Sequence, residues 1–136
     1  MVFLFVVLFF LLSIEVEFPD QKDNCQVVEL NNLNLWKIKH NETWIIHIAS
    51  TYCGGLLAFH SEFKELAEKL CGFIKIGEIN ENKAERLLSD LQISVLPAVI
   101  LVKNDSYYEY TGEKDYNSIS SWVITGIYLS EPPHQF

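Results

Sequence analysis

The chain has 136 residues, enough for one domain whose core needs neither disulfides nor metals. Its 10 Lys and Arg against 18 Asp and Glu leave a net charge of −8, dispersed without a basic cluster. That excludes an electrostatic nucleic-acid or membrane-surface site and names no partner of its own.

The first stretch, Met1 to Ile14, carries no charge. A bilayer core needs about 20 apolar residues, so this run is short for a span. It reads as the apolar centre of a secretory signal peptide over residues 1–19, although no Lys or Arg precedes it and no small-x-small cleavage site is evident before Pro19. An uncleaved anchor and a buried terminal helix are the alternatives. A single domain is expected over residues 20–130, with a flexible tail over 131–136. Asn41-Glu-Thr43 and Asn104-Asp-Ser106 are glycosylation sequons, and both fall between expected elements.

A polar lead-in reaches Cys25, and Gln26 to Leu30 reads as a short strand. Asn31 and Asn32 offer a cap for a first helix carrying Leu33, Leu35, Trp36 and Ile38. Trp44 to Ala49 is a run rich in β-branched residues, the pattern of a strand buried on both faces. It passes through Cys53-Gly54-Gly55 into a helix with Leu56, Phe59, Phe63, Leu66 and Leu70 at helical spacing. Cys71-Gly72 ends that helix, Gly72 serving as a left-handed cap. Phe73 to Ile79 makes the next strand. Ala84, Leu87, Leu88 and Leu91 mark a third helix capped by Asn80 or Asn82. Ile93 to Val102 follows, interrupted by Pro97, then a turn at Asn104-Asp105 and a strand from Tyr107 to Tyr110. A last helix from about Asp115 to Leu129 presents Ile119, Trp122, Val123 and Ile127 on one face. This order implies an α/β fold, a mixed sheet of about five strands with helices on both faces.

Cys53 sits where a strand gives way to a helix. Unpaired N–H groups and the helix dipole at such a place favour a thiolate. Tyr52-Cys53-Gly54, followed by Ala58, Glu62 and Phe63, resembles the active-site segment of the thioredoxin-like fold, in its protein disulfide isomerase branch. There an aromatic residue precedes Cys-Gly-His-Cys. Here Gly55 stands in place of the histidine and Leu56 in place of the second cysteine, while Leu57 and Ser61 replace a lysine and a proline. The resemblance extends over about Val27 to Ile127. Near its start, Glu29-Leu30-Asn31 and Asn34-Leu35 match the family loosely. Val95-Leu96-Pro97 resembles the family's step into a cis proline, with Ala98 for the usual threonine; the alternative is a trans proline at a strand edge. Tyr110-Thr-Gly112 resembles the family's Tyr-x-Gly step before the last helix.

The resemblance implies a substrate-binding face of Tyr52, Gly54, Gly55, Leu96 and Pro97 around Cys53, with client backbone laid beside the proline like an added strand. It does not imply ordinary dithiol turnover. A dithiol site needs a second cysteine to resolve the mixed disulfide, and Leu56 cannot do so. His47 falls at the family's buried carboxylate position. It reads as a satisfied core histidine, or as a group tuning Cys53. Neither Cys53 with His47 nor Cys53 with His60 has a recognised metal-ligand spacing or a third catalytic partner, so no metal and no cofactor is expected.

The implied strand order puts Cys25 and Cys71 at the sheet end opposite Cys53, where they would form a structural disulfide; two unpaired buried cysteines are the alternative. Asn41 and Asn104 map to the same far end. Three functions stay open. The first is a client-binding domain of the endoplasmic reticulum lumen or secreted space that captures client polypeptides or a partner thiol protein through Cys53. The second is an inert interaction domain, and the third a monothiol oxidoreductase resolved by glutathione or a partner. The ending His-Gln-Phe is not a Lys-Asp-Glu-Leu-type retrieval signal.

Overall fold

The computed structural model describes residues 25–38 and 41–135. The leader expected over residues 1–19 lies outside them. The described chain forms six strands: β1 (Val28–Glu29), β2 (Trp44–Ala49), β3 (Lys75–Asn80), β4 (Ala98–Lys103), β5 (Ser106–Tyr110) and β6 (His134–Gln135). Three α-helices accompany them: α1 (His60–Lys69), α2 (Glu85–Leu91) and α3 (Tyr116–Ile124). The sheet order is β1-β3-β2-β4-β5-β6, with β1, β3 and β2 parallel and each later pairing antiparallel.

All six residues of β2 are buried, as a run without polar alternation requires when both sheet faces are covered. Alternation then sends Trp44, Ile46 and Ile48 to one layer and Ile45 to the other. The first layer is closed by Ala84, Leu87 and Leu91 at α2. The second is closed by Phe63, Leu66 and Ala67 of α1 and by Ile119 and Trp122 of α3. Burying each Leu, Ile or Phe contributes about 1.5–3 kcal/mol, so these two seams hold the helices to the sheet.

Several local readings change in the structure. The first helix shrinks to a 3-10 turn at Leu35–Lys37, leaving Leu33 and Trp36 exposed. The Asn34 side chain accepts from the Asn31 N–H at 2.7 Å, and the Asn31 side chain accepts from the Leu33 N–H at 2.8 Å. Such local bonds give the backbone an alternative to helix. Neither Asn80 nor Asn82 caps α2; Ala84 precedes it without a side-chain cap. α3 is capped by Asp115, which accepts from the Ser118 N–H at 2.9 Å. That helix stops at Ile124 because Gly126 adopts φ 73°, and the following 3-10 turn buries Tyr128 while Ile127 is exposed. The expected flexible tail is also corrected. His134–Gln135 pairs with β5 as a sixth strand, and the His134 ring stacks on Tyr107 at 4.9 Å. An unpaired sheet edge offers donors and acceptors that this segment takes up.

Cys25 and Cys71 are joined by a disulfide, their Cα atoms 5.1 Å apart and their positions separated by 46 residues. The bridge ties the approach to β1 to the end of α1. Asn41, before β2, and Asn104, in the turn between β4 and β5, are exposed at this same end of the sheet.

Candidate functional site

The opposite end of the sheet carries the free thiol. Leaving β2, the chain makes a single 3-10 turn at Thr51–Cys53, and Cys53 is exposed and unpaired. Gly54 and Gly55 then take φ 91° and 60°, values that L side chains rarely adopt. A second 3-10 stretch, Gly55–Phe59, intervenes before α1 begins at His60. The expectation of a thiol directly at an α-helix N-terminus is therefore corrected. Two consecutive left-handed residues stop the α-helix from propagating back to Cys53. The amides near the thiol are also committed. The Ser50 carbonyl accepts from the Cys53 and Gly55 N–H groups at 3.1 and 2.8 Å, and Glu81 accepts from the Thr51 N–H at 2.7 Å.

The register of β4 on β2 brings the Leu96–Pro97 step to the same end. Ala98 pairs with Ile48, so the two preceding residues lie beside the exit of β2 towards Cys53. The Leu96–Pro97 bond is cis, and both residues are half-buried. Around this end Tyr52 is 95% exposed, Leu57 85% and Val95 72%. Three large apolar side chains this open on one end form an apolar rim to the thiol. Gly54, beside Cys53, is exposed and Gly55 half-buried. Tyr52, Gly54, Gly55, Leu96 and Pro97 thus share an end with Cys53, while Cys25, Cys71, Asn41 and Asn104 sit at the other. Sequence reading names Leu57 and Val95 only within the family resemblance and leaves them out of the binding face. For Leu57 the available signal was an apolar residue that the helical spacing of its neighbours leaves outside the core face.

Beneath this end lies a second feature. His47 is fully buried in β2, stacked on Phe63 at 4.5 Å with parallel rings and meeting Phe59 edge-on at 5.6 Å. Neither ring nitrogen is hydrogen-bonded within the protein, which corrects the reading of a satisfied core histidine. Burial, reinforced by the Lys114 charge, lowers its pKa from 6.5 to about 4, so the ring is neutral. Directly across the parallel pairing sits Glu78 of β3, 3% exposed. Burial, reinforced by Glu29, raises its pKa from 4.5 to about 7. His60, half-exposed at the start of α1, places Nδ1 3.9 Å from Glu78 Oε1. Sequence reading missed Glu78, although a carboxylate inside the apolar run Phe73 to Ile79 was an available signal.

Two further contacts fix the helices over the site. Glu62 of α1 accepts from the Tyr116 N–H at the start of α3 at 2.9 Å. The Tyr110 hydroxyl donates to the Glu113 carbonyl at 2.7 Å, and its ring occupies the space a Cβ at Gly112 would need. The Tyr110-Thr-Gly112 step is thus a packing requirement. Among the described residues, no group of three or more His, Cys, Asp and Glu side chains could hold a metal ion, and no helix is long and apolar enough to cross a membrane.

The thioredoxin family profile matches residues 25–125, most of the chain and both layers of the sheet. The chain belongs to the thioredoxin family. This thioredoxin domain is 29% identical over 110 residues to protein disulfide-isomerase 2-3 of Arabidopsis thaliana, covering 78% of this chain and 25% of that relative. The domain therefore spans about a quarter of that relative's length. The first thioredoxin domain of mouse protein disulfide-isomerase A4 superposes with a TM-score of 0.64 at 23% identity, covering 82% of this chain and 80% of that one. Thioredoxin f from spinach chloroplast gives 0.65 at 20% identity, covering 79% and 91%. At those identities the two structures speak for the fold alone.

Proposed function

We propose that this disulfide isomerase-like thioredoxin domain binds client polypeptides and captures them through a single thiol, without dithiol turnover. One observation carries the reading. Cys53 is an exposed free thiol on an apolar rim, and the position two residues beyond Gly54 is Leu56. In the capture step the Cys53 thiolate attacks one sulfur of a client disulfide. A Cys53–client disulfide forms, and the other client sulfur leaves as a thiolate. With no resolving cysteine beside it, the complex ends when a thiol from outside this domain attacks it: the client's own released thiolate, which reverses the step, or a small or partner thiol. Turnover would depend on that external thiol, so the domain acts as a trap more than as a catalyst.

The relatives named as disulfide isomerases, the apolar leader, the sequons at Asn41 and Asn104 and the Cys25–Cys71 bridge together support placement in the endoplasmic reticulum lumen or the secreted space. Glycans at Asn41 and Asn104 would leave the Cys53 end open.

The test mixes the domain with a disulfide-containing unfolded polypeptide, quenches with an alkylating agent and runs non-reducing gels. Wild type should give a mixed-disulfide band that C53S lacks. Equal client retention by wild type and C53S, with no covalent band, would instead favour an interaction domain in which Cys53 is inert. L56C should restore turnover in an insulin-reduction assay, as expected if only the resolving thiol is lacking.

A further inference from the structure

The turn that carries Cys53 is held from outside by a residue 28 positions further along the chain. Glu81, in the 3-10 turn that follows β3, reaches across to Thr51. A single carboxylate oxygen accepts from the Thr51 N–H at 2.7 Å and from the Thr51 hydroxyl at 2.5 Å. These bonds, the Thr51 side chain first, hold the Glu81 carboxyl below the usual carboxylate range, so it is ionised at neutral pH. Thr51 is the first residue of the turn and Cys53 the last.

We propose that Glu81 is a positioning residue for the Cys53 site: it clamps the thiol-bearing turn onto the β3–α2 connection. The inference rests on the capture reading for its functional meaning, but its geometry does not. As a hydrogen-bond acceptor Glu81 supplies a cap that the turn lacks from its own side chains, since Ser50 precedes it without a side-chain cap bond. An ordered turn presents the thiol in one place, which suits a trap for clients.

The test uses the whole chain, with amide exchange and with iodoacetamide, a small neutral probe that needs no client. E81A removes the acceptor, E81Q keeps an oxygen acceptor for Thr51 and E81D shortens the reach. E81A should exchange the Thr51 and Cys53 amides at least about tenfold faster, E81D should recover part of this and E81Q most of it. Cys53 alkylation at pH 7 should change by at least about twofold in E81A and stay close to wild type in E81Q. Unchanged amide exchange in E81A would overturn the proposal, and so would faster exchange with unchanged alkylation, since the clamp would then not reach the thiol. If E81A does not fold, T51A decides: faster Cys53 amide exchange supports the clamp and unchanged exchange overturns it. Failure of the capture assay with these results intact would remove the function and leave the clamp standing.

Discussion

The two ends of the sheet are built on different principles. At one end a covalent bridge joins Cys25 to Cys71 across 46 residues, close to two exposed sequon asparagines. At the other the Cys53 turn is held by hydrogen bonds through Ser50 and Glu81, the cis Leu96–Pro97 step lies at the same end, and three large apolar side chains face solvent. Covalent closure constrains the unfolded chain and lets the structure tolerate weak contacts elsewhere. The difference teaches how stability is distributed: the bridged end is closed covalently, and the open end tolerates exposed apolar surface.

The largest effect should come from breaking the bridged end. The double variant C25S/C71S should lose up to about 4 kcal/mol in urea unfolding, by loop-closure entropy. Its Cys53 alkylation in the folded state should match wild type within about twofold. Coupled changes in stability and Cys53 reactivity would mean that the two ends are not independent.

The next effect separates the buried pair under the open end. His47 titrates near 4 when folded against 6.5 unfolded, so its contribution is present above pH 6.5 and lost as pH falls through 4. Glu78 titrates near 7 folded against 4.5 unfolded, so its contribution is present below pH 4.5 and lost as pH rises towards 7. Between 4.5 and 6.5 the two slopes oppose, and wild-type stability from this pair should be nearly flat. E78Q should expose the histidine slope, with stability rising from pH 4 to 6.5. H47L should expose the carboxylate slope, falling from 4.5 to 7. Each excursion should be about 2–3 kcal/mol. Urea midpoints across pH 4 to 8 measure this, and parallel profiles in the three proteins would contradict it.

A smaller loss is expected from Y110F, which leaves the Glu113 carbonyl without its hydroxyl partner at the start of α3. The cost should be about 1 kcal/mol by thermal or urea unfolding. Smallest of all, L57S should change stability by no more than about 0.5 kcal/mol while weakening non-covalent client retention. A large destabilisation there would show that the exposed rim is part of the core after all.

Much of the scaffold was legible in the residues. The apolar runs of β2, β3 and β4 and the spacing of Phe63, Leu66 and Leu70 each state a local preference that packing then honours. The errors cluster where side chains compete with the backbone or where distant segments meet. Asn31 and Asn34 dissolved the first helix by bonding to nearby amides, and Gly54-Gly55 delayed α1 to His60. The tail strand depended on an open edge of β5, which no reading of His134 and Gln135 alone could supply.

By itself, then, the sequence determined the order of strands and helices and the single cysteine at the strand exit, with Leu56 three residues on, because periodicity and spacing are properties of neighbouring residues. Only the tertiary structure decided that Glu78 faces His47 across two parallel strands and that Glu81 grips Thr51 from 30 residues away. Those pairs lie far apart along the chain, and their free energies come from register, burial and direct contact, which exist only once the sheet has closed.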